Sequence, residues 1–134
     1  MFHRIIVCIL LGTGLLACSQ AEEKLSEELQ EKVLGLHDNL MPKTEQLVSL
    51  QAQLDSFSTG KDSVHVNKLK KALAKSDQAM MDWMHQFNSK INSNDVSDEV
   101  AMTYLEEQKV KILEVKERMN NSINSATEYF ESHQ

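Results

Sequence analysis

Residues 25–57, LSEELQEKVLGLHDNLMPKTEQLVSLQAQLDSF, decide the fold. Apolar residues fall at Leu25, Leu29, Val33, Leu36, Leu40, Leu47, Leu50, Leu54 and Phe57, nearly always three or four apart. That interval is the period of one helix face, so the segment predicts a long amphipathic helix. One beat is missing at Lys43 and Thr44, directly after Pro42. A proline there offers no N–H to the Asp38 carbonyl and crowds it, which predicts a kink. Ser58-Thr59-Gly60 ends the pattern, with Gly60 as a C-terminal stop.

Two further stripes follow. Asp62 or Ser63 can cap a second helix with apolar residues at Val66, Leu69, Leu73, Met80, Trp83, Met84, Phe87 and Ile91. Asn92-Ser93-Asn94-Asp95 marks a turn. Ser97 then caps a third helix, with Asp98 and Glu99 near its positive end. Its stripe runs Ala101, Leu105, Ile112, Val115, Met119, Ile123, Ala126 and Phe130, and Glu107–Lys111 and Glu114–Arg118 stand four apart as helix-surface pairs. Stripes of this length make helices about 40–50 Å long, and short connections force neighbours to be antiparallel. With four glycines and one proline in the whole chain, little interrupts them. The expected fold is all-α, an up-down-up three-helix antiparallel bundle with coiled-coil-like packing.

Ahead of the first stripe lie one basic residue, Arg4, an apolar run from Ile5 to Leu16, and Leu15-Leu16-Ala17-Cys18. This order is that of an export signal, and the run is too short for a bilayer core that needs ~20 residues. Leu15-Leu16-Ala17-Cys18 resembles a bacterial lipobox, which implies cleavage before Cys18 and acylation of that residue, palmitate included. The chain then divides into a signal peptide (1–17), a lipidated tether (18–24) and the bundle (25–134). Ser19 is not aspartate, and likeness to known sorting rules then favours the outer membrane. Cys8 departs with the signal and Cys18 is consumed, leaving no thiol for disulfides, metal or nucleophilic chemistry.

Charge narrows the partners. Without Arg4 the mature chain carries 13 basic against 20 acidic residues, a formal charge near −7. Nucleic acid, which demands a basic stripe, is thereby argued against, as is broad adhesion to anionic lipid. The one basic cluster, Lys68, Lys70, Lys71 and Lys75, reads as a solvated helix face.

One region departs from a leucine core. Met80-Met81-Asp82-Trp83-Met84-His85 lies on the second helix, and His37 and Met41 stand one turn apart on the first. If the first turn centres near Gly60, facing residues sum to about 120, so His37 stands level with Trp83. A second turn near Asn94 brings Met102, Tyr104 and Leu105 to the same height. At 100° per residue, His37, Met41, Met81 and His85 share one flank of the first two helices. Thioether and imidazole suit copper(I), and a His/Met pair can also hold haem iron. Equally, methionine fills gaps in helical cores and tryptophan anchors them, so packing is the first reading of the layer. A partner surface at Trp83, Met84 and Met102 is the second, and a soft-metal or haem site the third.

Enzyme signatures are missing from the sequence. No nucleophile elbow surrounds any serine, and there is no Glu-x-x-His, glycine-rich phosphate loop or HExxH. His65 and His133 fall near helix ends and read as surface residues. No catalytic residue and no cofactor is expected.

Residues 33–43, from Val33 through His37-Asp38-Asn39-Leu40-Met41-Pro42-Lys43, together with Ala79-Met80-Met81-Asp82-Trp83-Met84-His85-Gln86-Phe87, resemble small bacterial lipoproteins often labelled viral A-type inclusion proteins. The likeness runs over nearly the whole chain and implies an acylated helical envelope protein, with no activity to carry over. The expectation is a lipid-anchored, non-catalytic bundle that binds an envelope partner or supports the envelope. Its rivals are a copper or haem carrier and a bundle that takes a hydrophobic ligand or acts as a chaperone.

Overall fold

The computed structural model describes residues 14–57, 61–92 and 95–133, with side chains from residue 20 onward. Among the described residues three helices make up the fold: α1 (Gly14–Asp55), α2 (Ser63–Gln86) and α3 (Asp98–Glu131). Each packs on the other two. Lys70 of α2 pairs with Asp55 of α1, and Lys43 of α1 bonds Asn120 of α3. At the other end, Gln30 of α1 accepts from Asn92 at 2.8 Å and donates to the Ser89 carbonyl at 3.0 Å. These links fix α2 antiparallel to its neighbours and α1 parallel to α3. The protein is an all-α three-helix bundle, as the stripes require.

The core follows the stripes closely. Val33, Leu40, Leu47, Leu50 and Leu54 meet Leu69, Leu73, Met80 and Trp83 of α2 and Ile112, Val115, Met119 and Ile123 of α3. A smaller cluster of Leu29, Ile91, Ala101 and Leu105 closes the end nearest residue 20, and Phe87 touches both clusters. The stripe ends are corrected by the structure: Leu25 and Phe57 are exposed, although Phe57 still meets Tyr129 and Phe130 of α3 edge-on. Polar residues take the beats that the apolar pattern left open. Ser76, Gln108 and Ser122 are buried, with Tyr129 below them. Ser122 Oγ lies 2.9 Å from Ser76 Oγ, and the Ser76 hydroxyl reaches the Ala72 and Arg118 carbonyls at 3.0 and 3.2 Å. Small hydroxyls so satisfied let α2 and α3 approach without an unpaired polar group.

Local features differ from expectation in physical detail. Helix α1 runs unbroken across Pro42; beside it Thr44 Oγ1 donates to the Met41 carbonyl at 2.6 Å, and Lys43 is turned inward to Asn120. Residues 19–24, read as a tether, are helical, and 20–25 are exposed. Asp62 and Ser97 occupy the N-cap positions of α2 and α3, yet neither side chain makes a cap bond. Surface ion pairs join Lys24 to Glu28 and Lys109 to Glu106; Glu107–Lys111 and Glu114–Arg118 are not among the ion pairs of the described residues. The signal region 1–13, Gly60 and the Ser93-Asn94 step lie outside the described residues.

Helix α2 stops earlier than its stripe implied. Phe87 turns extended (φ −70°, ψ 123°), and Phe87 and Ile91 pack inward from the turn instead of from the helix. One position on α1 has spare room. Gly35 sits in mid-helix, and a Cβ built there meets no atom within 4 Å. Gly35→Ala therefore raises stability by about 0.5–1 kcal/mol, through the lower backbone entropy of the unfolded chain. A rise in the urea midpoint, followed by circular dichroism, checks this; a fall would mean that the surrounding side chains close on the site.

Candidate functional site

Hairpin geometry places His37 of α1 against Trp83 of α2, and the structure brings them together. Their rings stack with centroids 5.7 Å apart and planes 27° apart. Trp83 stacks in turn on Phe87 at 4.9 Å. His37 Nδ1 lies 2.9 Å from Asp38 Oδ1. An ionised carboxylate only accepts, so Nδ1 carries the proton and the lone pair of a neutral ring is left on Nε2.

The remaining residues of the expected layer divide. Met41 is half-buried one turn beyond His37. Met81 and His85 are exposed on α2, as is Met84. Trp83, by contrast, is only 6% exposed and belongs to the core, so it packs rather than presents a surface. Met102 is half-buried beside the Leu29–Leu105 cluster, at the end nearest residue 20. The extended turn after Gln86 moves α3 by about one helical turn relative to the expectation. Tyr104 consequently meets Phe87 at 6.2 Å and accepts from Asn88 N–H at 2.6 Å, below the Trp83 level. Among the described residues no three histidine or carboxylate side chains converge as a metal cage.

Gln108 of α3 joins Trp83 of α2 in the interior. Both are buried, and Trp83 Nε1 and Gln108 Oε1 each lack a hydrogen-bond partner. A donor on α2 and an acceptor on α3 thus go unpaired, a cost of about 1–3 kcal/mol each. The empty beat between Leu105 and Ile112 was the sequence signal for Gln108.

A second constellation was not foreseen. At the far end of the α2–α3 seam, Tyr129 lies between two imidazoles, His133 at 4.1 Å and His65 at 5.6 Å. His133 Nε2 stands 3.4 Å from Asp62 Oδ2, while Ser132 Oγ lies 2.9 Å from His133 Nδ1. The order serine, histidine, aspartate suggests a nucleophile relay, but the proton positions oppose it. His133 Nδ1 lies 2.8 Å from the Tyr129 carbonyl, which can only accept, so Nδ1 is already protonated and cannot take the Ser132 proton. The Ser132 hydroxyl also has that carbonyl at 2.9 Å. The cluster fastens the C-terminal turn of α3 to the start of α2.

No protein-family model matches the chain, and neither a curated protein nor a solved structure is similar to it.

Proposed function

We propose that this protein is a lipid-anchored, non-catalytic helical bundle of the bacterial cell envelope, held to the outer membrane through Cys18 and engaging a partner with its body. The observation that carries the reading is Leu15-Leu16-Ala17-Cys18 behind a short apolar run, in a chain whose described helices are none of them long and apolar enough to cross a membrane. Attachment then needs acyl chains, and two or more of them give a stable anchor. The end of the bundle nearest Cys18 supports this. Glu22, Glu23, Asp98 and Glu99 line one depression there, so anionic headgroups repel the base and favour a body that stands away from the bilayer. The exposed thioethers of Met81 and Met84, three residues apart on α2, offer an adaptable apolar contact to a partner.

Partition of cells expressing the full chain tests the reading. The mature protein is expected to enter the detergent-rich phase of a cloud-point separation and to stay with membranes through an alkaline wash. Recovery in the aqueous phase overturns it.

One observation favours a second reading. In its neutral form His37 keeps a lone pair on Nε2, and Met81 and His85 are accessible on α2, ligand types of the kind copper(I) takes. Under the leading reading, the acyl-free chain shows no saturable one-to-one uptake of copper(I) under reducing conditions. Stoichiometric uptake lost in a His37→Ala, His85→Ala double variant would establish the metal reading instead.

A further inference from the structure

Along the α2–α3 seam two depressions, of about 500 and 530 Å³, share Ala72 and Ser125 and form one groove. Asp62 to Ser76 spans about 20 Å of helix. The floor is made of small residues, Ala72, Ser76, Ser122 and Ser125. The Ser76 and Ser122 hydroxyls are committed to each other and to main-chain carbonyls, so at these two residues the floor admits close approach without selecting for a donor or acceptor.

Selection therefore falls to the rim, and there the structure re-sorts the lysine cluster. Lys70 turns to Asp55 on α1. Lys71 is exposed and outside the groove. Lys68 and Lys75 line it, and Arg118 joins them from the opposite helix. None of the three has an acidic partner among the described residues. In the half of the groove around Ser76 the charged groups are Lys75 and Arg118, with no carboxylate. This stands out in a chain of formal charge −6. At the far end Asp62 and Glu128 join His65 and His133, so the groove is polarised along its length.

We propose that this groove docks an acidic, extended peptide segment of a partner protein, carboxylates over Lys68, Lys75 and Arg118 and its acid-free end toward Asp62 and Glu128. Lys68 and Lys75 stand seven residues apart, about 10 Å along the helix. Cations strung out in this way do not converge on one phosphate. They match carboxylates three residues apart on a chain extended as polyproline II, which turns once every three residues and rises ~3.1 Å per residue, so that both face the groove. Opposite charge steers the encounter and sets direction. The site lies on the body of the bundle and stands with or without an acyl chain on Cys18.

The full chain is titrated into a fluorescent peptide of about twelve residues with glutamate at every third position, one face of a polyproline II chain, and anisotropy is followed. Saturable, salt-weakened binding is expected. Lys75→Glu with Arg118→Glu lowers affinity by about tenfold or more, and Lys71→Glu with Lys116→Glu, an equal charge change on exposed residues outside the groove, by less than about twofold. Unchanged helicity by circular dichroism shows that both variants fold; should the groove pair fail, Lys75→Gln with Arg118→Gln replaces it. Absence of saturable binding, or equal losses in the two pairs, overturns the proposal. Competition by inorganic phosphate as strong as by unlabelled peptide would make the groove a point-anion site, and groove-dependent capture by phosphatidylglycerol vesicles a membrane patch; either overturns it too.

Discussion

Trp83→Ala destabilises the bundle by about 3 kcal/mol, the low end of the range for a buried aromatic. Trp83 is buried between His37 and Phe87, and Phe87 in turn ties the main core to the smaller cluster around Leu29 and Leu105. Its removal opens a cavity where the two clusters join. An opposing contribution keeps the loss from being larger. Nε1 is buried without an acceptor, so truncation also relieves an unsatisfied donor worth about 1–3 kcal/mol. Trp83→Phe separates the two effects. It keeps much of the ring volume and deletes the orphan N–H, so its cost is expected below about 1 kcal/mol. Urea unfolding of the three proteins measures both. A Phe variant as unstable as the Ala variant would show that Nε1 has a partner, such as an ordered water.

Cys18→Ser is expected to abolish acylation. Acyl transfer needs the thiol, and serine keeps its size while losing the nucleophile. Labelled palmitate, incorporated into the parent chain in growing cells, is absent from the variant. Because processing is coupled to acylation in the lipobox reading, the variant also retains residues 1–17 and migrates as the longer precursor. Its bundle still folds, since the core begins at Leu29. Palmitate incorporation that survives Cys18→Ser would contradict the account.

Much of the fold was legible because spacing is enforced by burial. Leu47, Leu54, Leu73, Leu105 and Ile112 all sit on the stripes and all are fully buried. The gaps were harder to read, since a serine or glutamine in an apolar period carries no sign of whether it faces inward. Ser76 and Ser122 do so because each satisfies the other, a pairing between residues 46 apart in sequence. Within the layer, His37 facing Trp83 followed from the first hairpin alone, whose short turn leaves little freedom. Met102 was misplaced because the second connection is not short in the same sense: α2 ends at Gln86 and α3 begins only at Asp98. The groove rim was beyond reach for a related reason. Lys68, Lys70, Lys71 and Lys75 form one cluster in sequence, but helix rotation sends Lys70 to Asp55 and leaves Lys68 and Lys75 to meet Arg118. His65 and His133 came together around Tyr129 only through the antiparallel return of α3.

Helix α1 carries the backbone of Cys18 straight into the bundle, so an anchor at that residue sets the whole body relative to the membrane. With Cys18 at the bilayer surface and α1 upright, Asp55 stands about 55 Å above it at 1.5 Å per residue. Exposed Met81 and Met84 and the α2–α3 groove then lie well clear of the headgroups. That placement depends on one chemical fact about the native N-terminus. The most direct measurement is the mass of the N-terminal peptide of the protein isolated from its own cells. The account predicts a peptide beginning at Cys18 and carrying acyl groups on the thiol and on the amino group; a peptide beginning at Met1, or an unmodified Cys18, would contradict it.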